Sequence, residues 1–368
     1  MHDFDPSSPR PLYLQLADSI RRDIETGTLQ PGERLLPELE TAKKYGLSRG
    51  TVRQALELLV NQKLIQRTPG KGTFIATSQP PSNSLIGIVV PYLRDSLTAE
   101  IVRGAENALR LHGYSLIIGH SDDSLDIECE EIRRLQRNSI SGLILFPVSQ
   151  PGETFRLHAE FKPGLPIVVV DRKIPEFNSS TVFVDNRGGA YEGVEHLIAL
   201  GHRRIACVTH DGEISSVQER VKGYEQAMRA AGLMPFAAVS IPFYEPAADG
   251  QPPIYGSMDM GAVDQVFDTE NRPTALFCVN DFVALAVMQH VRRHRRECVP
   301  QDVAIVGFDD IPLASFMPVP LTTIAQPKFE IGTQAALLLL DKISGREPGI
   351  RNIVLPTSLV VRSSTISL

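Results

Sequence analysis

From Leu85 to Phe308 the chain repeats one pattern: a short run of unbroken apolar residues, then an amphipathic stretch of helical length. The runs are LIGIVV, YSLIIG, GLILF and PIVVV, followed by a second set, RIACVTH, PTALFCV and VAIVGF. Helices are expected at about 97–112, 125–138 and 216–231, with another running through His290. Strands that are apolar on both faces and alternate with helices build parallel sheets covered on both sides. Two such sets on one chain make a two-lobed α/β body.

Ligands of open parallel sheets bind at the carboxyl ends of the strands. The residues found there are Tyr92, Asp171, Asp185, Asn280 and Asp309, with Arg220 in SSVQERVKGY and Gln326 after LTTIA. Short polar side chains, one guanidinium fork and nearby aromatic rings suit a polyhydroxylated molecule, whose hydroxyls donate and accept while its apolar face packs on a ring. Taken singly, an Asp or Asn after a strand is more often a helix cap or turn.

The N-terminal quarter follows a different period. Leu12, Leu16, Ile20 and Ile24 recur every four residues and predict a helix that stops near Gly27, before a Pro31-Gly32 turn. A second short helix is expected from Pro37 to Tyr45, ending at Gly46. Ser48 then caps a third, SRGTVRQAL, in which Arg49 and Arg53 share one face while Val52, Leu56 and Leu59 form the seated stripe. Two short strands, 64–67 and 73–76, flank the turn PGKG. Helix, helix, turn, helix and hairpin describe a winged helix-turn-helix. The turn lacks the spacing and the Lys-Ser/Thr ending of a phosphate loop, so Gly70, Lys71 and Gly72 read as a wing tip approaching DNA. Between Arg34 and Lys71 eight Lys/Arg stand against three Asp/Glu, a local excess of five on a chain of net charge −6. A basic patch of that kind faces an anion.

The polar, proline-containing segment TSQPPSNS, 77–84, has the composition of a linker. It divides a DNA-binding domain, 1–76, from an effector domain, 85–368. No apolar run approaches a bilayer's thickness, and the acidic, proline-rich start MHDFDPSSPRP is unlike a signal peptide, so a cytoplasmic protein with no membrane partner is expected. Four scattered cysteines form no CxxC pair and read as reduced thiols.

The runs PLYLQLADSIRRDIETGTLQPGERL and YGLSRGTVRQALELLVNQKLIQRTPGKGTFI resemble the GntR family of bacterial transcription regulators. The resemblance implies that Arg49 and Arg53 contact DNA, with Ser48 and Thr51 near the phosphates and the turn Pro69 to Gly72 as the wing. The chain departs from the family at the second helix, where LLPEL replaces LPSER: Leu36 stands for the proline, Pro37 for the capping serine and Leu39 for an arginine. The remainder resembles the LacI/GalR effector-binding domains in VFVDNRGGAYEGVEHLIALGHRRIACV, ERVKGY, ALFCVND, VPQDVAIVGFDD and PLTTIAQP. That likeness implies a type I periplasmic-binding fold with three crossings between the lobes, lobe 1 at about 85–185 and 326–355, lobe 2 at about 186–325 and 356–368. It places effector contacts at Arg220, Asn280, Asp309 and Gln326, with Ser216, Asp171 and the Tyr92 to Thr98 segment lining the cleft. The pairing of the two parts resembles the arabinose-responsive repressors of Gram-positive bacteria.

The expectation is a homodimeric repressor that binds operator DNA and a small sugar, with no cofactor; a purine or other polar corepressor on the same architecture is the alternative. A carbohydrate-acting enzyme is the rival class. Adjacent Asp309 and Asp310 point apart and no nucleophile motif appears, which argues against it. His290 and His294 are four apart, as zinc ligands are, but Val291, Arg292 and Arg293 between them lack an acidic residue, so no metal is expected.

Overall fold

The computed structural model describes residues 11–25, 28–30, 32–61, 64–68, 72–75, 84–93, 95–148, 154–174, 176–210, 212, 214–242, 259–346 and 349–368. The chain divides into two compact units, Met1–Ser82 and Asn83–Leu368. The proposed linker lies almost wholly outside the described residues, as do Gly70 and Lys71.

The first unit holds α1 (Leu12–Glu25), α2 (Glu38–Tyr45), α3 (Arg49–Asn61) and the hairpin β1 (Ile65–Thr68) and β2 (Gly72–Ile75). Leu16, Leu56, Leu59 and Ile75 are buried together with Val52 and Ala55, so the stripe on α3 is seated against α1 and the hairpin. Each such aliphatic side chain contributes about 1.5–3 kcal/mol on burial. Helix α2 begins one residue later than the sequence suggests, at Glu38, with Pro37 as its N-cap at an extended ψ of 150° and no side-chain capping bond. Glu38 and Glu40 put negative charge at that helix's positive end instead. Gly46 ends α2 in the left-handed conformation, at φ 66°.

In the second unit lobe 1 contains β3 (Leu85–Val90), α4 (Ser96–Leu111), β4 (Ser115–His120), α5 (Leu125–Arg137), β5 (Gly142–Leu145), α6 (Thr154–Glu160), β6 (Ile167–Val170) and β7 (Ser180–Val184). Lobe 2 follows with α7 (Asn186–Ala199), β8 (Ile205–His210), α8 (Ser215–Ala230), β9 (Val239–Ile241), α9 (Gly261–Phe267), β10 (Ala275–Cys278), α10 (Asp281–His290), β11 (Ala304–Asp309), α11 (Pro312–Phe316) and β12 (Thr322–Ala325). The chain returns to lobe 1 for α12 (Lys328–Ile343) and β13 (Asn352–Leu355), then ends in lobe 2 with β14 (Ser358–Val360). It thus passes between the lobes three times.

Lobe 1 is a six-stranded sheet, β13-β7-β6-β5-β3-β4, parallel throughout; lobe 2 is another, β14-β12-β11-β10-β8-β9, whose edge strand β14 alone is antiparallel. Strand β3 shows why the runs are unbroken: Ile86, Ile88 and Val90 face the core under α4 and α12, and Val89 faces the core under α5. A Cβ at Gly104 of α4 would lie far inside contact with the Phe329 carbonyl, and one at Gly332 of α12 with that of Ile101, so the two helix backbones touch. No helix among the described residues is long and apolar enough to cross a membrane.

Candidate functional site

The cleft of the second unit lies where both sheets present their carboxyl ends. Its free volume is small, about 90 Å³, and its wall is drawn from both lobes. Its centre on the lobe 2 side is Arg220, in the second turn of α8 and 4% exposed. The guanidinium donates from Nε to Asn186 Oδ1 at 2.8 Å, and from Nη1 to the Val279 carbonyl at 2.8 Å and Asp309 Oδ1 at 3.1 Å. Its Cζ lies over the Phe308 ring, 3.8 Å from the ring centre. Four residues from three places in lobe 2, α7, the end of β10 and β11, therefore fix one fork. Burial pushes the Asp309 carboxyl up, while Arg220 and then Lys328 pull it down.

Asp309 has φ 113°, strained for any side chain. It is held there by Arg220 and by Gln326 Nε2, 2.6 Å from the same oxygen. Gln326 itself does not line the cleft; it stands behind Asp309 and acts on the cleft through it. Asp310 points away and accepts from Arg362 at 2.7 Å. Asn280 is a helix cap, its Oδ1 accepting from Val283 N at 2.8 Å, which leaves its two amide donors for the cleft. Asp185 likewise caps α7 through Gly188 N at 2.8 Å and does not line the cleft.

From lobe 1, Asp171 follows β6 with φ 60° and is 6% exposed. Its Oδ2 accepts from Ser216 Oγ of lobe 2 at 3.3 Å, and Lys173 N donates to Ser215 Oγ at 2.8 Å, so the lobes are stitched at the start of α8. Asp171 Oδ1 is buried with no partner among the described residues. Burial raises this carboxyl, opposed by Arg220 and Arg172. Tyr92 also lines the cleft, and burial pushes its phenol well up.

Arg172, Phe146 and His210 line the cleft as well and were not singled out from the sequence. Arg172 is 6% exposed, donates to Asp123 Oδ1 and the Pro147 carbonyl, both at 3.2 Å, and lies 5.2 Å from the Phe146 ring centre. Its place directly after Asp171 at a strand end was the available signal. The wall thus offers guanidinium groups from both lobes, each held beside carboxylates. Such balanced charge favours a neutral ligand rich in hydroxyls over an anion.

In the first unit, Ser48 Oγ accepts from Thr51 N at 3.1 Å and lies 2.8 Å from Thr51 Oγ1, capping α3. Arg49 is exposed, with no ion pair among the described residues, and Arg53 is held by Glu38 of α2. Gly72 has φ 120°, and a Cβ there would sit 2.9 Å from Arg34 Nε, so the base of the turn requires glycine. His290 and His294 stack at 5.1 Å, with His290 Nε2 2.9 Å from Asp264 Oδ1. Among the described residues no group of three or more potential ligands surrounds a common point.

Residues 12–75 match the model for bacterial regulatory proteins of the gntR family, and 194–365 that for a periplasmic binding protein-like domain. The chain is 33% identical over 363 residues to the arabinose metabolism transcriptional repressor of Geobacillus stearothermophilus, covering 96% of this chain and 98% of that protein. It is also 33% identical to the transcriptional repressor CytR of Escherichia coli (strain K12), over 76% of this chain and 79% of CytR. Among solved structures, a LacI family transcriptional regulator from Enterococcus faecium with bound ribose superposes with a TM-score of 0.62 and 27% identity, covering 77% of this chain and 99% of that one. The chain therefore belongs to the family of DNA-binding transcriptional repressors that carry a GntR-type headpiece on a periplasmic-binding-protein-like body, and is a regulator rather than an enzyme.

Proposed function

We propose that a small neutral sugar is the effector, that it binds in the cleft, and that it releases the repressor from its operator. The observation that carries this reading is the convergence of Asp171 and Arg172 from lobe 1 with Arg220, Asn280 and Asp309 from lobe 2. Paired carboxylates and guanidinium groups, with an Asp171 oxygen that has no partner among the described residues, are acceptors and donors suited to hydroxyls. A ligand bridging both lobes favours their closed arrangement. Ribose in the Enterococcus faecium regulator supports the ligand class.

In the same reading Arg49 and Arg53 meet base edges, Ser48 and Thr51 lie near phosphates, and the turn 69–72 is the wing. One such helix reads too few base pairs for genomic specificity, so the repressor acts as a homodimer on a roughly two-fold operator. An apolar groove on lobe 2, beside the exposed side chains of Leu313 and Phe316, is a surface a second copy would cover. Such a protein works in the cytoplasm, where its operator is.

The test is a thermal-shift screen against pentoses, hexoses and nucleosides, in which a ligand at about 100 times its dissociation constant adds some 2.7 kcal/mol. The hit is then titrated with and without a duplex selected by the protein from random DNA. Induction requires the duplex to weaken sugar binding by the same factor by which sugar weakens duplex binding, about 5- to 150-fold. Equal affinities would reject induction, and tighter sugar binding on DNA would make the ligand a corepressor.

A further inference from the structure

Glu38, the first residue of α2, holds two arginines that come from different elements. Its Oε2 accepts from Arg53 of α3, with Nε at 3.3 Å and Nη2 at 3.2 Å. Its Oε1 accepts from Arg67 of β1, with Nη2 at 3.3 Å. Each carboxylate oxygen serves one arginine, and the cluster keeps a net charge of +1. Both guanidinium groups stay open to solvent, with Arg53 55% and Arg67 43% exposed, while Glu38 is only 25% exposed. Two guanidinium groups this close repel each other unless an anion lies between them. The carboxylate is itself anchored at the positive end of α2, whose capping side chain is missing. The arrangement is thus a fixed anion presenting a pair of exposed forks, one on the helix with the DNA-facing arginines and one on the first strand of the wing.

We propose that Arg67 is a further DNA-contacting residue, meeting a phosphate beside the base read by Arg53, and that Glu38 is the positioning residue that presents the two together. The proposal rests on the reading of α3 as the helix that meets the operator. Arg67 adds a point of electrostatic attachment that is blind to sequence. Glu38 does the reverse: its charge opposes phosphates everywhere, and its grip on Arg53 favours the duplex on which that fork is correctly aimed. Removing the carboxylate therefore strengthens binding to arbitrary DNA while weakening discrimination.

The full chain is used to select a duplex from a random-sequence pool. Fluorescence anisotropy then measures its affinity for that duplex and for a scrambled one of the same composition, across a range of salt. Arg67→Ala should weaken both duplexes by the same factor and reduce the slope of log K against log salt by about 0.9, whereas Arg67→Lys should keep the slope. Glu38→Gln should tighten the scrambled duplex and lower the selected-to-scrambled ratio by about two- to fivefold, the contribution of an exposed ion pair. An unchanged slope in Arg67→Ala overturns the phosphate contact. An unchanged ratio in Glu38→Gln overturns the positioning role and reduces the cluster to a surface ion-pair network, whatever either variant does to thermal stability. If the wild-type chain selects no sequence, the operator reading itself fails and the proposal falls with it.

Discussion

Arg220→Ala tests whether the cleft is built around one buried ion pair. The substitution deletes three hydrogen bonds and leaves Asp309, 7% exposed, without its ion-pair partner. Breaking a buried pair from one side costs about 3–5 kcal/mol. Gln326 still donates to Asp309 at 2.6 Å, which places the loss near the lower figure, about 3 kcal/mol. With a urea slope of about 2 kcal/mol per molar, the unfolding midpoint of the body should fall by about 1.5 M. The loss should also depend on pH. Burial already raises Asp309, and Arg220 is the first influence opposing that rise. Without it the folded pKa climbs further above the unfolded value of about 3.9. A carboxyl raised on folding takes up protons, so the variant's deficit should be small near pH 4 and grow as pH rises through the folded value. Adding Asp309→Asn removes the orphaned charge, and the double variant should be more stable than the summed losses predict by about 0.5–3 kcal/mol. Urea unfolding of the four chains at pH 4.5 and 7.5 gives every quantity needed. Additivity of the two substitutions, or a deficit equal at both pH values, would refute the reasoning.

Arg49→Ala and Arg53→Ala should each cost about 1–3 kcal/mol on the selected duplex and less on scrambled DNA; wild-type affinity for both at fixed salt would remove α3 from the operator. Asp281 is fully buried, accepts from Thr323 Oγ1 at 2.5 Å and Ile311 N at 2.8 Å, and burial pushes it up to about 8. Its folded value exceeds its unfolded one, so wild-type stability should decline between about pH 4 and 8, and Asp281→Asn should flatten that decline; parallel curves in urea would count against it. Gly104→Ala and Gly332→Ala force α4 and α12 apart and should lower stability by at least about 1–3 kcal/mol, and an unchanged melting temperature in either would show that the helices have room to move.

The legible parts of this chain were those whose physics is local. The third helix could be read because its serine cap, its apolar stripe and its arginines all lie within about four turns, and the buried strands announced themselves as unbroken Val/Ile runs. Local chemistry also explains the ambiguity at the strand ends. Asp185 and Asn280 look alike in sequence, and both are caps, but only Asn280 also lines the cleft. What separates them is sheet order, which no residue spacing encodes. The same is true of Arg172, whose partner Asp123 comes from the loop after β4, with β5 and β3 lying between that strand and β6 in the sheet. Gln326 could be placed near the cleft but not behind Asp309, because that depends on how β11 and β12 pair. The touching of α4 and α12 was invisible: Gly104 and Gly332 are far apart in the chain, and only their packing gives either glycine a purpose.

That packing also orders events on the ribosome. Lobe 1 cannot close until α12 and β13 have emerged, and lobe 2 lacks its edge until Val360 has, whereas the headpiece is complete at Ile75. From Ile75 to Val360 is 285 residues, and synthesis at roughly 5–20 residues per second spends on the order of 15–60 s on them. For that interval a nascent chain carries a finished DNA-binding unit and no finished effector-binding body. If the proposed homodimer pairs through that body, the nascent chain can hold no more than half of a two-fold operator. On that proposal, the order in which the parts are made keeps repression by unfinished, effector-blind molecules weak.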